Sequence, residues 1–281
     1  MSQNYVYKTS KNNEINITTF GNDILENKDC IIFTHGFKGF KDWGFGPFLA
    51  NHFAEKGFFV ITFNFSHNGI GENPLEFTQL DKFAENTYSL EVNELSEIIS
   101  AYRNGFFGKI REASKLGVIG HSRGGAISIL ASNLSKNVDA LVTWSAIAKF
   151  DRYSERQKIE WRKKGYSEAL NSRTNQLMRQ NITLLDDVKQ NQDGFLNLEK
   201  TLDQIDIPHL IIHGTEDLAV KVEEAEQIYD WSKKENTELL KIYGTGHTFD
   251  IKHPFDGSSK AFDKVLENTH LFFYKSFKVR K

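Results

Sequence analysis

Apolar residues occur in short uninterrupted runs, and most runs are separated by stretches with the three- and four-residue spacing of a helix. The runs predict buried strands at 30–34, 58–63, 116–119, 138–144, 210–213 and 238–243. The spaced stretches predict helices at 48–56, 82–104, 126–134, 222–233 and 260–277. Strands that are apolar on both faces and alternate with helices indicate a mostly parallel central sheet with helices on both faces. The sequence therefore predicts an α/β fold.

Two stretches depart from this alternation. Residues 4–9 and 13–20 flank a turn-rich break, and they predict an antiparallel hairpin at a sheet edge. Residues 145–205 contain no run that predicts a strand. Because open α/β sheets bind ligands at the carboxyl ends of their strands, we expect a helical cap insertion at 145–205 over that edge and a core formed by 1–144 and 206–281. The helices predicted in the insertion are 152–164, 167–180 and 184–190.

Composition narrows the class of protein. The chain has 281 residues, of which 39% are hydrophobic and 26% charged, and this balance is typical of a soluble globular protein with a large core. A formal net charge of -2 gives no reason to expect nucleic acid or a membrane as a partner. The single cysteine, Cys30, excludes an intramolecular disulfide and fits a reducing compartment. Since neither a signal peptide nor a membrane-length apolar run is visible, we expect a cytoplasmic protein.

A serine stands at the junction of a predicted strand and a predicted helix. The apolar run at 116–119 continues into Gly120-His121-Ser122-Arg123-Gly124, and helical spacing follows at once. The G-x-S-x-G spacing suits a sharp turn, because a serine on so tight a bend needs neighbours without bulk two positions away. Such a turn presents the hydroxyl near a helix N-terminus, where amide dipoles favour negative charge. Ser122 is therefore the candidate nucleophile; the alternative is an ordinary turn that contains a serine.

A serine hydroxyl is a weak nucleophile that needs a base, and the base needs an orienting acid. His247 lies in a glycine-bounded loop after the strand predicted at 238–243, and Asp217 lies just after the preceding strand. Both would project from the sheet edge that carries the candidate nucleophile. Glu216 is the alternative acid, and His253 is the reserve base. The alternative for Asp217 itself is a surface carboxylate in a turn.

Negative charge that develops on a substrate oxygen needs backbone N–H donors. The amide of Arg123 is one candidate, because it directly follows the candidate nucleophile. The amide of Phe37 is the other, because His35-Gly36 would form a close-packed turn after the strand at 30–34. The alternative for His35-Gly36 is an ordinary turn between a strand and a helix. These two amides are the predicted oxyanion hole.

Four motifs stand in one order along the chain: His35-Gly36-Phe37, Gly120-His121-Ser122-Arg123-Gly124-Gly125, His213-Gly214-Thr215-Glu216-Asp217 and Gly246-His247-Thr248-Phe249. In these motifs the chain resembles the alpha/beta-hydrolase superfamily from about residue 20 to residue 277. Within it the chain is similar to serine esterases and to dienelactone-hydrolase-like or acyl-aminoacyl-peptidase-like enzymes with a short helical cap. The order of that family implies a catalytic triad of Ser122, Asp217 and His247.

The resemblance implies a serine hydrolase. We expect a carboxylesterase that cleaves small or medium acyl esters, hydroxycinnamoyl esters included, through an acyl-enzyme. A peptidase or amidase with the same triad is the first alternative, although the chain has no room for a large accessory domain that restricts access. A non-catalytic ligand-binding member of the fold would usually lack part of the triad. No cofactor and no metal is implied, the expected partner is a small acyl ester, and a homodimer is a permitted assembly.

The predicted insertion is locally basic. A solvated helix face is the ordinary explanation, and the sharper hypothesis is that one cation binds a carboxylate of the substrate. The cations are Lys149, Arg152, Arg156, Lys158, Arg162, Lys163, Lys164, Arg173 and Arg179. Four aromatic residues are candidates for an acyl pocket, with the core as the alternative: Phe37, Trp144, Phe150 and Trp161.

Overall fold

The computed structural model describes residues 2–171 and 174–278, which form one main sheet, one separate hairpin and the surrounding helices. The strands are β1 (Ser2–Lys8), β2 (Glu14–Phe20), β3 (Cys30–Thr34), β4 (Phe59–Phe63), β5 (Leu116–His121), β6 (Ala140–Trp144), β7 (Tyr166–Asn171), β8 (Gln176–Asn181), β9 (His209–Gly214) and β10 (Thr237–Ile242). The helices are α1 (Gly46–Glu55), α2 (Leu80–Ala84), α3 (Tyr88–Arg103), α4 (Arg123–Ser135), α5 (Glu155–Lys164), α6 (Ile182–Asn191), α7 (Leu198–Gln204), α8 (Val222–Trp231) and α9 (Lys260–Lys278). Among these described helices, none combines the length and the apolar character needed to span a bilayer.

The main sheet has the predicted arrangement. Its strand order is β1-β2-β4-β3-β5-β6-β9-β10. The hairpin of β1 and β2 is antiparallel and forms one edge, as predicted, and β2 also pairs antiparallel with β4. The other neighbouring pairs of this sheet, β4–β3, β3–β5, β5–β6, β6–β9 and β9–β10, are all parallel. Because β3, β5, β9 and β10 run in the same direction, the loops that follow them meet at one edge of the sheet.

Neighbouring residues on the central strands point into two different apolar layers. Ile31 packs in a layer with Leu49 of α1 and Phe262 of α9. The next residue, Ile32, packs on the other face in a layer with Ile127 of α4. Burying a side chain of this size stabilises the fold by about 1.5–3 kcal/mol. The strands therefore need apolar residues at consecutive positions, which is the pattern that the sequence shows.

The structure corrects the prediction at residues 167–180. This stretch is not a helix: β7 and β8 pair there as an antiparallel hairpin. Helix α5 ends at Lys164, and the next residue, Gly165, has a left-handed φ of 84°. On β8, Met178 is fully buried in a cluster with Phe40 and Phe77, whereas its neighbour Leu177 is 58% exposed. Burial that alternates from one residue to the next belongs to a strand and not to a helix.

The hairpin of β7 and β8 contacts loops of the main sheet. The side-chain amide of Gln176 donates to the carbonyl oxygen of Phe77 at 3.0 Å. The ammonium of Lys38 donates to the carbonyl oxygen of Leu170 at 3.0 Å. The other two helices predicted between residues 145 and 205 are confirmed as α5 and α6. The division of the chain into a core and a cap stays a prediction.

Candidate active site

Ser122 occupies a strained turn between β5 and α4. Its φ of 57° and ψ of -122° are rarely adopted by a residue with a side chain, and such backbone costs about 1–3 kcal/mol. The segments around Ser122 pack so closely that two of their glycines leave no room for a side chain. A Cβ on Gly124 would lie 2.4 Å from the carbonyl oxygen of His35, and a Cβ on Gly36 would lie 2.8 Å from the Cβ of Ser122. The structure therefore holds the hydroxyl on a sharp bend beside the loop after β3.

His247 and Asp217 lie together at the same edge. The Nδ1 atom of His247 is 2.7 Å from Oδ2 of Asp217. The other carboxylate oxygen, Oδ1, accepts the backbone N–H groups of Ala219 at 2.9 Å and Val220 at 2.8 Å. Asp217 is buried, whereas Glu216, the alternative acid, is exposed. The pair that the structure brings together is thus His247 and Asp217.

The surroundings of Asp217 keep it ionised. Burial alone would raise the pKa of Asp217, but hydrogen bonds from His213 and His247 and from the Val220 backbone outweigh it and hold the pKa well below its usual range. Nε2 of His213 is 2.8 Å from the carbonyl oxygen of Val220 and 3.4 Å from Oδ2 of Asp217. In the sequence, His213 stood out only as the first residue of the motif that contains Asp217. Its position four residues before Asp217 is the sequence feature from which this contact could have been predicted.

A second histidine holds the backbone of His247. Nε2 of His121 donates to the carbonyl oxygen of His247 at 2.9 Å, and the two ring centroids are 4.8 Å apart. Burial, together with a smaller effect of the neighbouring His247, lowers the pKa of His121 to about 3. His121 is therefore neutral, and its N–H fixes the loop that carries the candidate base.

Ser122 and His247 line one cavity of about 600 Å³. Its walls are mainly aromatic, and two lysines contribute the charged side chains. Within residues 2–171 and 174–278, no carboxylate side chain lines it. The aromatic and cationic lining residues are Phe33, Phe37, Phe40, Trp43, Phe45, His253, Lys38 and Lys252, and Asn171 of the hairpin completes one side.

The two residues of the predicted oxyanion hole are neighbours in the structure. The guanidinium carbon of Arg123 lies 4.2 Å from the ring centroid of Phe37 and 4.7 Å from the ring centroid of Tyr88. Nη1 of Arg123 is 3.5 Å from Oε1 of Glu91, and both side chains are buried. The sequence predicted a role for Arg123 only through its backbone amide, so these contacts of its side chain were not predicted. The oxyanion role of the two amides stays a prediction.

Three of the four aromatic residues proposed for an acyl pocket belong to the core, because the structure places only Phe37 in the cavity. The indole of Trp144 donates to Oγ1 of Thr269 at 3.1 Å beneath the sheet. The Phe150 ring packs on Tyr88, at 4.6 Å between centroids. Trp161 is also buried, and it packs against a tyrosine of its own segment. The cavity draws its aromatic residues from β3 and from the loops after β3 and β10 instead.

His253, the reserve base, has a different partner. Its Nδ1 accepts the backbone N–H of Gly44 at 2.9 Å, and its ring stacks on Trp43 with 6.0 Å between centroids. It therefore serves as a wall of the cavity, while the carboxylate of Asp217 is bonded to His247.

Most cations of the basic stretch at 145–205 have carboxylate partners inside the protein, so they fit the solvated-face explanation. Arg173 lies outside the described residues. The ion pairs are Arg152–Glu224, Arg156–Glu160, Lys158–Asp151, Lys158–Glu155, Arg162–Asp186, Lys164–Glu168 and Arg179–Glu168.

Comparison with known proteins bears on this site. The model of the prolyl oligopeptidase family matches residues 46–274, which include Ser122, Asp217 and His247. The chain belongs to the prolyl oligopeptidase family. No curated protein matches the sequence.

Several solved structures share the fold of this family member. Est1E from Butyrivibrio proteoclasticus, solved with ferulic acid bound, has a TM-score of 0.73 and 18% identity over 97% of this chain and 99% of its own. The alpha/beta hydrolase GrgF from Penicillium sp. sh18 has a TM-score of 0.75 and 14% identity over 99% of both chains. A monoacylglycerol lipase from Paleococcus ferrophilus has a TM-score of 0.67 and 15% identity over 97% of this chain and 99% of its own. The predicted alpha/beta-hydrolase fold is thereby confirmed.

Proposed function

We propose that this protein is a serine hydrolase that cleaves carboxylic esters through an acyl-enzyme. The observation that carries the proposal is the strained Ser122 in the same cavity as His247, whose ring is bonded to the buried carboxylate of Asp217. A serine needs a base of this kind to become a nucleophile, and a base oriented by a carboxylate is the usual solution.

In the proposed reaction His247 takes the proton of Ser122 as the hydroxyl oxygen attacks the ester carbonyl. Asp217, ionised at working pH, holds the Nδ1 proton of the imidazole and stabilises the imidazolium that forms. The amides of Phe37 and Arg123 would bind the oxyanion, with the N-terminus of α4 adding favourable dipoles. His247 then protonates the leaving alcohol. In the second half of the reaction His247 takes a proton from water, whose oxygen attacks the acyl-enzyme, and returns the proton to Ser122 as the acid leaves.

The walls of the cavity favour an ester with an apolar or aromatic body. Phe37, Phe40, Trp43 and Phe45 line it, and flat rings of this kind pack well against another ring. Est1E, which shares the fold, has been solved with ferulic acid, an aromatic acid. Hydroxycinnamoyl esters are therefore the first substrates to test, followed by small and medium aliphatic acyl esters.

The first test is covalent labelling. A fluorophosphonate should react with Ser122, and Ser122→Ala should lose both the label and the turnover of 4-nitrophenyl esters, leaving at most about 10³–10⁴-fold acceleration over water. Ser135→Ala, at the far end of α4, is the matched control and should label like the parent protein. Labelling at any residue other than Ser122 would exclude the proposed nucleophile.

A second candidate is a peptidase or amidase, and membership of the prolyl oligopeptidase family favours it. The discriminating measurement compares an ester with the amide of the same acyl group, for example 4-nitrophenyl acetate with 4-nitroacetanilide, and adds short prolyl peptides as amide substrates. Turnover of esters alone supports the esterase. Amide cleavage at a comparable kcat/KM, abolished by Ser122→Ala, would assign the same triad to a peptidase.

A further inference from the structure

We propose that the substrate carries a carboxylate and that Lys252 binds it at the rim of the cavity. This inference rests on the proposed ester hydrolysis and names the substrate class for that same site. It places Lys252 among the residues that determine specificity, not among those that carry out the reaction.

The balance of charge in the cavity is the first observation. Lys38 and Lys252 line it, and no carboxylate of the described residues does. The protein as a whole carries a formal charge of -2, so this excess of positive charge is local. A cleft that carries one sign of charge within apolar walls concentrates ligands of the opposite sign. The aromatic walls meanwhile suit the apolar body of the same ligand.

The pairing of Lys252 is the second observation. Among the described residues, no carboxylate lies within ion-pair distance of its ammonium group, whereas Arg152, Lys158 and Arg162 each contact one. The Lys252 side chain is exposed, so a carboxylate of the substrate would reach it without breaking a contact within the protein. The cations of the 145–205 stretch, by contrast, would first have to leave their own partners.

The backbone that carries Lys252 is fixed on both sides, which is the third observation. Before it, the hydroxyl of Thr248 donates to the carbonyl oxygen of Ile251 at 2.8 Å. After it, His253 accepts the backbone N–H of Gly44 at 2.9 Å. The segment starts directly after His247. The distance from the candidate base to the start of the Lys252 side chain is therefore set by the fold.

Lys38 has a supporting place in this arrangement. Its ammonium already donates to the carbonyl oxygen of Leu170 at 3.0 Å and lies 5.5 Å from the Phe37 ring centroid. It adds positive potential to the same wall while it ties the loop after β3 to the hairpin. Because a change at Lys38 would disturb that tie as well, Lys252 is the residue to test.

The experiment uses matched esters that differ in one charge. On the acyl side, methyl 4-carboxycinnamate is compared with methyl 4-methylcinnamate; on the alcohol side, 4-acetoxybenzoate is compared with 4-methylphenyl acetate. The variants are Lys252→Glu, Lys252→Gln and Lys252→Arg. Lys264→Glu, which makes the same charge change on the exposed face of α9, is the control for net charge.

We expect Lys252→Glu to lower kcat/KM about tenfold for at least one carboxylate ester, and to leave the matching neutral esters within about twofold. Lys252→Gln should give an intermediate loss, Lys252→Arg should retain the activity, and Lys264→Glu should change neither ester. The loss should shrink as salt rises, because exposed charges are screened.

Equal effects on charged and neutral esters, or no effect on either, would overturn the anion site while the esterase still stands. If the parent protein hydrolyses none of the esters and Ser122 is not labelled by the fluorophosphonate, the proposed function itself fails. The two failures are thus separated by the neutral esters and by the label.

Discussion

At the scale of single residues, the candidate site depends on side chains whose surroundings set their chemistry. Asp217 is buried, yet its two oxygens accept hydrogen bonds from a histidine ring and from two backbone amides. A carboxylate that is satisfied in this way stays ionised and orients the imidazole that it contacts. Glu216, one position earlier, is exposed and has no such role. Two adjacent acids of similar chemistry thus differ in their expected role because one is buried and the other is exposed.

This difference in environment predicts different kinetics for matched variants of the two acids. Asp217→Asn should lower kcat by about 10⁴, because an amide favours the wrong tautomer of His247. Glu216→Gln should leave kcat within about twofold. Steady-state kinetics on one ester, with circular dichroism to verify folding, measures both. Equal losses in the two variants would contradict the assignment of the acid.

Arg123 shows a second effect at this scale. Its guanidinium contacts the rings of Phe37 and Tyr88 and lies beside Glu91. It therefore holds the loop whose amide is proposed to bind the oxyanion. Arg123→Met alone leaves Glu91 buried without its cation, and breaking such a pair costs about 3–5 kcal/mol.

The double variant Arg123→Met with Glu91→Leu separates positioning from stability. Replacing both partners with apolar residues should recover most of the free energy of unfolding. The value of kcat should remain about 10²-fold below that of the parent protein, because the loop that carries the proposed oxyanion donor is misplaced. Denaturant titration and steady-state kinetics check this. If kcat recovered fully together with stability, the pair of Arg123 and Glu91 would have only a structural role.

At the scale of elements, α3 is joined to the chain after β4 by a buried carboxylate. Oε2 of Glu94 accepts the backbone N–H of Ser66 at 3.0 Å, and Oε1 accepts the hydroxyl of the same residue. Burial raises the pKa of Glu94 to about 7. The folded state then binds a proton more tightly than the unfolded state does. Stability is therefore lost as pH rises from about 4.5 towards and above 7.

This linkage predicts the effect of Glu94→Gln. Because of Glu94, the free energy of unfolding of the parent protein should fall by about 2–3 kcal/mol between pH 5 and pH 8. The variant should lack this decline. Denaturant unfolding at the two pH values measures the difference. Glu97→Gln, one turn nearer the end of α3, is the control and should follow the parent. Parallel profiles for the parent and Glu94→Gln would show that the carboxyl does not titrate in this range.

The elements also show what the sequence could reveal. Buried parallel strands such as β3 and β5 are predictable, because they need consecutive apolar residues and no other element of similar length does. The hairpin of β7 and β8 was not predictable, because its outer face carries Leu177 and its inner face includes polar residues, so the alternation is weak. Its strand character depends on the burial of Met178 against distant residues.

At the scale of the whole molecule, the order of the candidate triad was predictable and its surroundings were not. Ser122, Asp217 and His247 each follow a recognisable strand, and parallel strands bring such residues to one edge. The cavity is built from loops without periodicity, such as those that carry Trp43 and Lys252. The side-chain role of Arg123 requires two rings from different parts of the chain. Such contacts arise only from tertiary packing.

The site is also divided among distant parts of the chain. The loop after β3 borders the candidate nucleophile, which follows β5, and the candidate acid and base follow β9 and β10. A fragment that ends before β9 keeps Ser122 and its turn but has neither of its partners. Turnover by the proposed triad would thus report the completed sheet: during synthesis from the N-terminus, Ser122 is made long before Asp217 and His247.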